Sequence, residues 1–461
     1  AYHLALRNGD NQRKLGAAGC CEATQAALLL YPDLPELVEL ALVGFHVLAF
    51  DGLNRTTLGQ IEAHDLVISA MNRYLDDKKI QQRGIQVLWT MALNHPPNRF
   101  LIGNSAGCET ILRGVEEYKS DEAIIQASLD AIQQLALSPD NQHRLSGNYA
   151  LFQLLIRVIQ QSLPSSGKAG AGSPGSQLTK ENSRSKKHSC CGFAHSMGRV
   201  RHRLELLRAS VETCMIMVWE NSHAAVTFAE WGDCDEVVKV LNRQLWQPHA
   251  DFNSITVRSP RSRQSERRIA QDEEGRAHEI EIKAACLTIV THLAAVNETM
   301  QRLIECGAVH AVYATIQHME LSKKARTPTS PTVRPRGPDV PRVLAEKACE
   351  AIAKLCENPA CRVQFGETRI AVVLFKCLRR FKMDHVVCAL VMVAIKACTN
   401  GNPLLRDEVM KQEIPEQLVA LACERHPDDK DLQYATIEAL RTLLQGDVAE
   451  HLERIGKQLE K

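Results

Sequence analysis

Ala49, Ala92 and Ala136 stand in matching surroundings, "GFHVLAFDGLNR", "VLWTMALNHPPNR" and "AIQQLALSPDNQ", at intervals of 43 and 44 residues. Gly16 and Gly59, in "QRKLGAAG" and "RTTLGQIE", repeat the interval of 43. A repeat of this length constrains the fold more than any other feature. One unit of three helices cannot bury its own apolar faces, so copies must stack. Repeats near 34 or 33 residues are excluded by the count. A stacked array also explains how 461 residues can be organised without one oversized core.

Each unit reads as three helical segments. A short helix follows an Asn-rich turn, as in "NRFLI" (98–102) and "NETMQRLIE" (297–305). A glycine such as Gly307 then allows a sharp corner, because a residue without Cβ tolerates positive φ. A second helix follows with Val309, Val312 and Ile316 on one stripe. A third, longer helix such as "IIQASLDAIQQLALS" (124–138) is apolar on two faces, as a helix packed between two neighbours must be. The apolar content of 45% with only 5% aromatics fits helices packed through Leu, Ala, Val and Ile.

The pattern resembles the armadillo-repeat family, and residues 289–316, "IVTHLAAVNETMQRLIECGAVHAVYATI", look like a standard unit of it. The resemblance covers most of the chain outside three loops. It implies an all-α fold, an α-α superhelix of the armadillo type wound as a right-handed solenoid. About seven full units with partial terminal units are expected: a truncated one at 1–31, then units near 36–77, 79–119, 122–162, 203–246, 277–319, 342–381 and 384–425, and a partial one at 429–461. The organisation is therefore armadillo units at 1–162, 200–246, 277–319 and 342–461, interrupted by disordered loops at 163–199, 247–276 and 321–341. The chain opens on "AYHLALRNGDNQ", without an initiator Met and inside a helical pattern, as a piece of a larger protein would.

The loops are polar and lack helical periodicity. Two are basic: 163–199 carries six Lys/Arg against Glu181, and 321–341 carries five against Asp339. With a net charge of +1 overall, the remainder of the chain stands at −8. Ser259, Thr327 and Ser330 precede prolines inside the loops and are candidate phosphorylation sites, where added charge would reverse the local field. Cys190 and Cys191 lie beside Lys186 and Lys187, a pairing suited to lipidation next to a basic patch, although an inert loop is the simpler reading.

Other signals weaken on inspection. "GAGSPG" (170–175) satisfies a glycine-rich dinucleotide pattern, but it sits in a loop after a helix and contains proline. "HSCCGFAHS" (188–196) supplies His188, Cys190, Cys191 and His195, but adjacent cysteines do not match zinc spacing. No metal, cofactor or catalytic residue is assigned. The 16 cysteines are spread along the chain at helical core spacings, for example Cys286, Cys349, Cys356, Cys388 and Cys398, and read as small buried hydrophobes of a reducing compartment, cytoplasm or nucleus. The longest apolar run, "VVCALVMVAI" (386–395), is too short to span a bilayer.

In the family's extended-peptide binders, an Asn near the end of the third helix pairs with a partner's backbone. Carried over, that position falls on Val47, Thr90, Gln134, His292, Lys354 and Lys396, with Met217 in the fourth unit. None is Asn, which disfavours a backbone-reading groove. Lys354 and Lys396 instead point to acidic partner segments, against the alternative that they are merely solvated. Trp89 reads as core or as a wall between units. Basic residues gather in loops and not on helices with interleaved aromatics, so nucleic acid is not an expected partner. The function implied is a non-enzymatic protein-binding scaffold. The alternatives are a regulatory or targeting segment of a larger kinase or ubiquitin ligase, and a membrane-peripheral adaptor anchored by a lipidated loop.

Overall fold

The computed structural model describes residues 5–164, 189–245, 263–321, 340–411, 418, 420 and 425–444. Every regular element among them is a helix, twenty-three in all. A partial unit, α1 (Gly9–Ala17) and α2 (Cys20–Leu30), comes first. Triplets follow: α3 (Pro35–Leu48), α4 (Gly52–Gln60) and α5 (Ala63–Arg73); α6 (Lys78–Ala92), α7 (Pro96–Asn104) and α8 (Gly107–Glu117); α9 (Glu122–Leu135), α10 (Pro139–Ser146) and α11 (Tyr149–Ser162). The next two are α12 (Ser189–Val218), α13 (Ser222–Glu230) and α14 (Asp233–Asn242), then α15 (Arg263–Ala294), α16 (Asn297–Glu305) and α17 (Ala308–Leu321). The last are α18 (Val340–Leu355), α19 (Pro359–Gly366) and α20 (Ile370–Arg380), then α21 (His385–Thr399) and α22 (Pro403–Lys411), and finally α23 (Lys430–Leu444).

Local chemistry sets the starts of these helices. Asp77, Asp121 and Asp384 cap α6, α9 and α21, their carboxylates accepting from backbone N–H groups of the first turn. Proline occupies the first helical position of α3, α7, α10 and α19, where its missing N–H costs nothing. At the corner between α16 and α17, Gly307 has φ of +78°. Glu62 and Ala106 hold the corresponding corners with φ of +56° and +62°, in the left-handed region that glycine enters without strain.

Packing follows one rule. The long helices α3, α6, α9, α12, α15, α18, α21 and α23 each contact the next in that order. The helices α2, α5, α8, α11, α14, α17 and α20 form a second file, and α1, α4, α7, α10, α13 and α16 a third. The buried side chains merge into one cluster running from Cys21 to Leu443. On α9, Ile124, Leu129 and Ile132 are fully buried because neighbours cover two sides of the helix. Each such side chain stabilises the fold by roughly 1.5–3 kcal/mol. Of the thirteen cysteines whose side chains are described, eleven are buried, filling space as small apolar residues do.

A clamp fastens neighbouring units. Asn98 on α7 donates through Nδ2 to Arg55 O on α4 and to Met91 O on α6, both at 3.0 Å. Asn54 makes the equivalent bonds to Gln12 O and Leu48 O, and Asn141 to Arg99 O and Leu135 O. Each amide lies against a glycine of the preceding short helix, Gly16, Gly59 or Gly103, where any Cβ would overlap it. The recurring glycines are therefore seats for the next unit's asparagine.

Two boundaries differ from the sequence reading. α12 begins at Ser189 and α15 at Arg263, so 189–199 and 263–276 are helical, not disordered. The stretch "RQSERRIAQDEEGRAHE" is polar, but Arg, Gln, Glu and Ala are good helix formers, and extending an existing helix is cheaper than nucleating one. Arg201 of α12, just past its extension, pairs with Glu274 in the α15 extension at 2.7 Å. Residues 165–188, 246–262 and 322–339, with Ser259, Thr327 and Ser330, lie outside the described residues. Cys190 and Cys191 fall in the first turn of α12, ahead of the residues whose side chains are described.

Candidate partner-binding surface

The C-terminal ends of the long helices present side chains at a common register. Counting from the aspartate caps, Trp89, Gln133 and Lys396 each stand twelve residues on, and His46 holds the same place on α3. All four are half-buried, and the Gln133 amide is taken up between helices, Nε2 donating to Ala209 O at 2.9 Å and to Thr213 Oγ1 at 3.2 Å on α12. One residue later the register turns inward: Val47 and Thr90 are buried, and the Thr90 hydroxyl donates to Gln86 O in its own helix.

The positions carried over from the family thus separate. Thr90 is interior and offers no contact to a partner. Gln134 is half-buried, as is His292. Met217 is fully buried, whereas Met215 and Ile216 before it are half-exposed. Lys354 is bound to Glu357 at 2.7 Å and Lys396 to Glu438 at 2.9 Å, so neither is an unpaired cation. Glu438 is held below the usual carboxylate range by the Lys396 ammonium and then Arg441. The two lysines lie on packed neighbours, α18 and α21. Gln134 and His292 are on α9 and α15, with α12 between them.

Aromatic side chains add to this surface. His46, Phe50 and Trp89 form a cluster at the ends of α3 and α6, with ring centroids 5.1 Å (His46–Phe50), 6.5 Å (His46–Trp89) and 6.4 Å (Phe50–Trp89) apart. His46 Nδ1 lies 2.7 Å from Thr90 Oγ1 and 3.2 Å from Gln86 O. Burial pushes the imidazole below its ordinary pKa, with Arg83 adding to the effect against the Gln86 carbonyl. Two units on, Trp219 packs on His292 at 4.7 Å. Phe50, Leu137 and Trp219, directly after or just past α3, α9 and α12, are 44%, 52% and 47% exposed, large apolar groups left at the surface.

The sequence carried a signal for these residues. Phe50, Leu93 and Leu137 stand directly after the three aligned alanines, a large apolar residue at the same point each time. Between the aromatic groups lies a charged stretch. Asp130 on α9 and Glu212 on α12 are both pushed above the usual carboxylate range, first by burial, with Arg208 opposing. Arg208 bonds Glu212 at 3.0 Å, and Asp130 accepts from Gln126 at 2.8 Å.

Two hydroxyl–imidazole contacts are found among the described residues, and both have structural roles. His46–Thr90 joins α3 to α6, and His95, 3.2 Å from Thr56 Oγ1, caps α7 by accepting from Asn98 N through Nδ1. Among the described residues, no group of three or more His, Cys, Asp or Glu is placed to hold a metal ion. No described helix is long and apolar enough to cross a membrane. A polar cleft of about 360 Å³ lies where α9, α11 and α12 meet, lined by Lys119, Glu122, Gln161 and Arg203 among others.

No protein-family model matches the chain, and no curated protein matches it. Among solved structures, one chain from work on a phosphorylation switch controlling the interaction between cadherin and beta-catenin is 14% identical, the match covering 96% of this chain and 81% of that one with a TM-score of 0.48. An engineered protein is 12% identical, covering 74% of this chain and 99% of its own, with a TM-score of 0.46.

Proposed function

We propose that the chain is a non-enzymatic protein-binding scaffold, an armadillo-type superhelix whose long helices line an inner face that holds partner proteins. The observation that carries this reading is the shared register. His46, Trp89, Gln133 and Lys396 stand at one point on the file of long helices, and Phe50, Leu137 and Trp219 add exposed apolar area beside it. A rigid row of aromatic and polar groups suits recognition by a few anchors, since a handful of residues, enriched in Trp, Tyr and Arg, carries most of the binding energy at protein interfaces. An acidic partner remains compatible with Lys354 and Lys396, but it must displace Glu357 and Glu438 to reach them.

The test is affinity capture with quantitative mass spectrometry, comparing the native chain with Trp89→Ala/Trp219→Ala and with Leu404→Ala. Leu404 is 80% exposed on α22, which is not one of the long helices, and serves as the surface control. Proteins retained by the native chain and the control should be lost from the double variant, whose helicity is checked in parallel. Equal capture by all three rejects the inner-face reading. Direct titration of the captured partner against Lys354→Glu/Lys396→Glu then reports whether its contact segment is acidic.

A further inference from the structure

Six cysteines, Cys349, Cys356, Cys361, Cys377, Cys388 and Cys398, fall within α18 to α21 and are buried. Two of them approach closely across neighbouring long helices. Cys356 Sγ, immediately after α18, lies 3.3 Å from Cys398 Sγ, one residue before the end of α21. That separation leaves little more than 1 Å of closure to a disulfide of about 2.05 Å. The pair bridges packed helices of consecutive units, and its residues are 42 apart, one repeat of the array.

We propose that Cys356 and Cys398 are an oxidisable dithiol, which closes to a disulfide and staples the α18 end to the α21 end. In the closed helical state both thiols are about 1% exposed. The Cys356 thiol is strongly disfavoured from ionising, by its hydrogen bond with Cys398 and then by burial, so it is unreactive there. Position supplies the access. Both residues sit at helix C-termini against exposed turns, Glu357 after one and Asn400 after the other, and helix ends open at low free-energy cost. In the opened state, one thiol loses its proton and its thiolate attacks a small disulfide such as glutathione disulfide. A mixed disulfide forms and one glutathione thiolate leaves. The second cysteine, as thiolate, then displaces the other glutathione. The balance is two protein thiols and one glutathione disulfide giving one protein disulfide and two glutathione thiols.

The consequence reaches the proposed partner face. Lys354 and Lys396 each stand two residues before a cysteine of the pair, so the staple would fix the spacing of the two lysines. The dithiol itself rests only on the thiol geometry and does not depend on what that face binds.

The experiment incubates the full chain in glutathione buffers from fully reduced to fully oxidised, followed by acid quench, alkylation and peptide mapping. The expected result is a Cys356–Cys398 cross-linked peptide that accumulates at the oxidising end, a free-thiol count lower by two, a higher melting temperature, and reversal by dithiothreitol. Cys398→Ser should abolish the cross-link, and Cys388→Ser should keep it. If Cys398→Ser does not fold, Cys356→Ala gives the same readout. Failure of the native chain to cross-link at the oxidising end overturns the proposal. So does a mixed disulfide that never resolves, or a cross-link formed by other cysteines.

Discussion

Asparagine 141 and glycine 103 should behave as one unit in a double-mutant cycle. Asn141 Nδ2 donates to Arg99 O at 2.8 Å and to Leu135 O at 3.2 Å, tying α10 to α7 and α9. Leu135 O also accepts from Ser138 N, and Arg99 lies within α7, so neither carbonyl is orphaned when the amide is removed. Asn141→Ala should therefore cost about 2 kcal/mol, two net hydrogen bonds at about 1 kcal/mol each. Gly103→Ala gains about 1 kcal/mol of helix propensity, but its methyl overlaps Asn141 Oδ1 and evicts the amide. Lost bonds and overpacking together leave it about 2 kcal/mol destabilised. In the double variant the methyl occupies vacated space, so only the lost bonds less the propensity gain remain, about 1 kcal/mol. The double variant should be more stable than either single, a coupling of about 3 kcal/mol relative to additivity. Amide hydrogen exchange of peptides from α7 and α10 measures the local opening free energy. A double variant as unstable as the sum of the singles refutes the seat-and-clamp account.

Two further outcomes follow from the same geometry. Ala106→Gly should stabilise the chain by roughly 0.5–1 kcal/mol, because Ala106 holds φ at +62° without the freedom of glycine, and a lower midpoint in urea would contradict this. His46 is depressed below the ordinary histidine value of 6.5, so the unfolded chain takes up its proton first. The stability His46 contributes is present above 6.5 and is lost as pH falls through that value toward the depressed one. His46→Gln should therefore lose less melting temperature than the native chain between pH 7.5 and 5.5. Parallel losses would remove His46 from the pH response.

What was legible in the sequence was what depends on neighbours a few residues apart. The short helices after asparagine-rich turns could be read at 98–102 and 297–305, where α7 and α16 lie. The corner at Gly307 could be read because a positive φ narrows the choice of residue. The interval between Gly16 and Gly59 was visible, but its cause was not. Each glycine answers an asparagine in the following unit, about 40 residues away. The extensions of α12 and α15 were misread because polarity alone does not distinguish a solvated helix from a loop. Of the positions transferred from the family, Lys396 alone falls twelve residues after its helix cap, in the register of Trp89 and Gln133, while Thr90 and Gln134 stand one residue later.

That single-residue difference bears on how such a chain would select partners. A groove that reads backbone needs amides on its inner face, where an Asn side chain can donate to and accept from any peptide group. Here the corresponding positions carry Val47, Thr90 and Gln134, and the outward register carries His46, Trp89 and Gln133. The asparagines stand elsewhere, at Asn54, Asn98 and Asn141, and their amides bind carbonyls of the chain's own helices. The same amide-to-carbonyl chemistry is turned inward and used for stacking. If the proposed face binds partners, rings and charges at its exposed ends distinguish one side chain from another far better than one backbone from another. On that reasoning a partner of this surface is chosen by a few apolar or charged anchors, and mutating those anchors in the partner should matter more than shortening the segment that carries them.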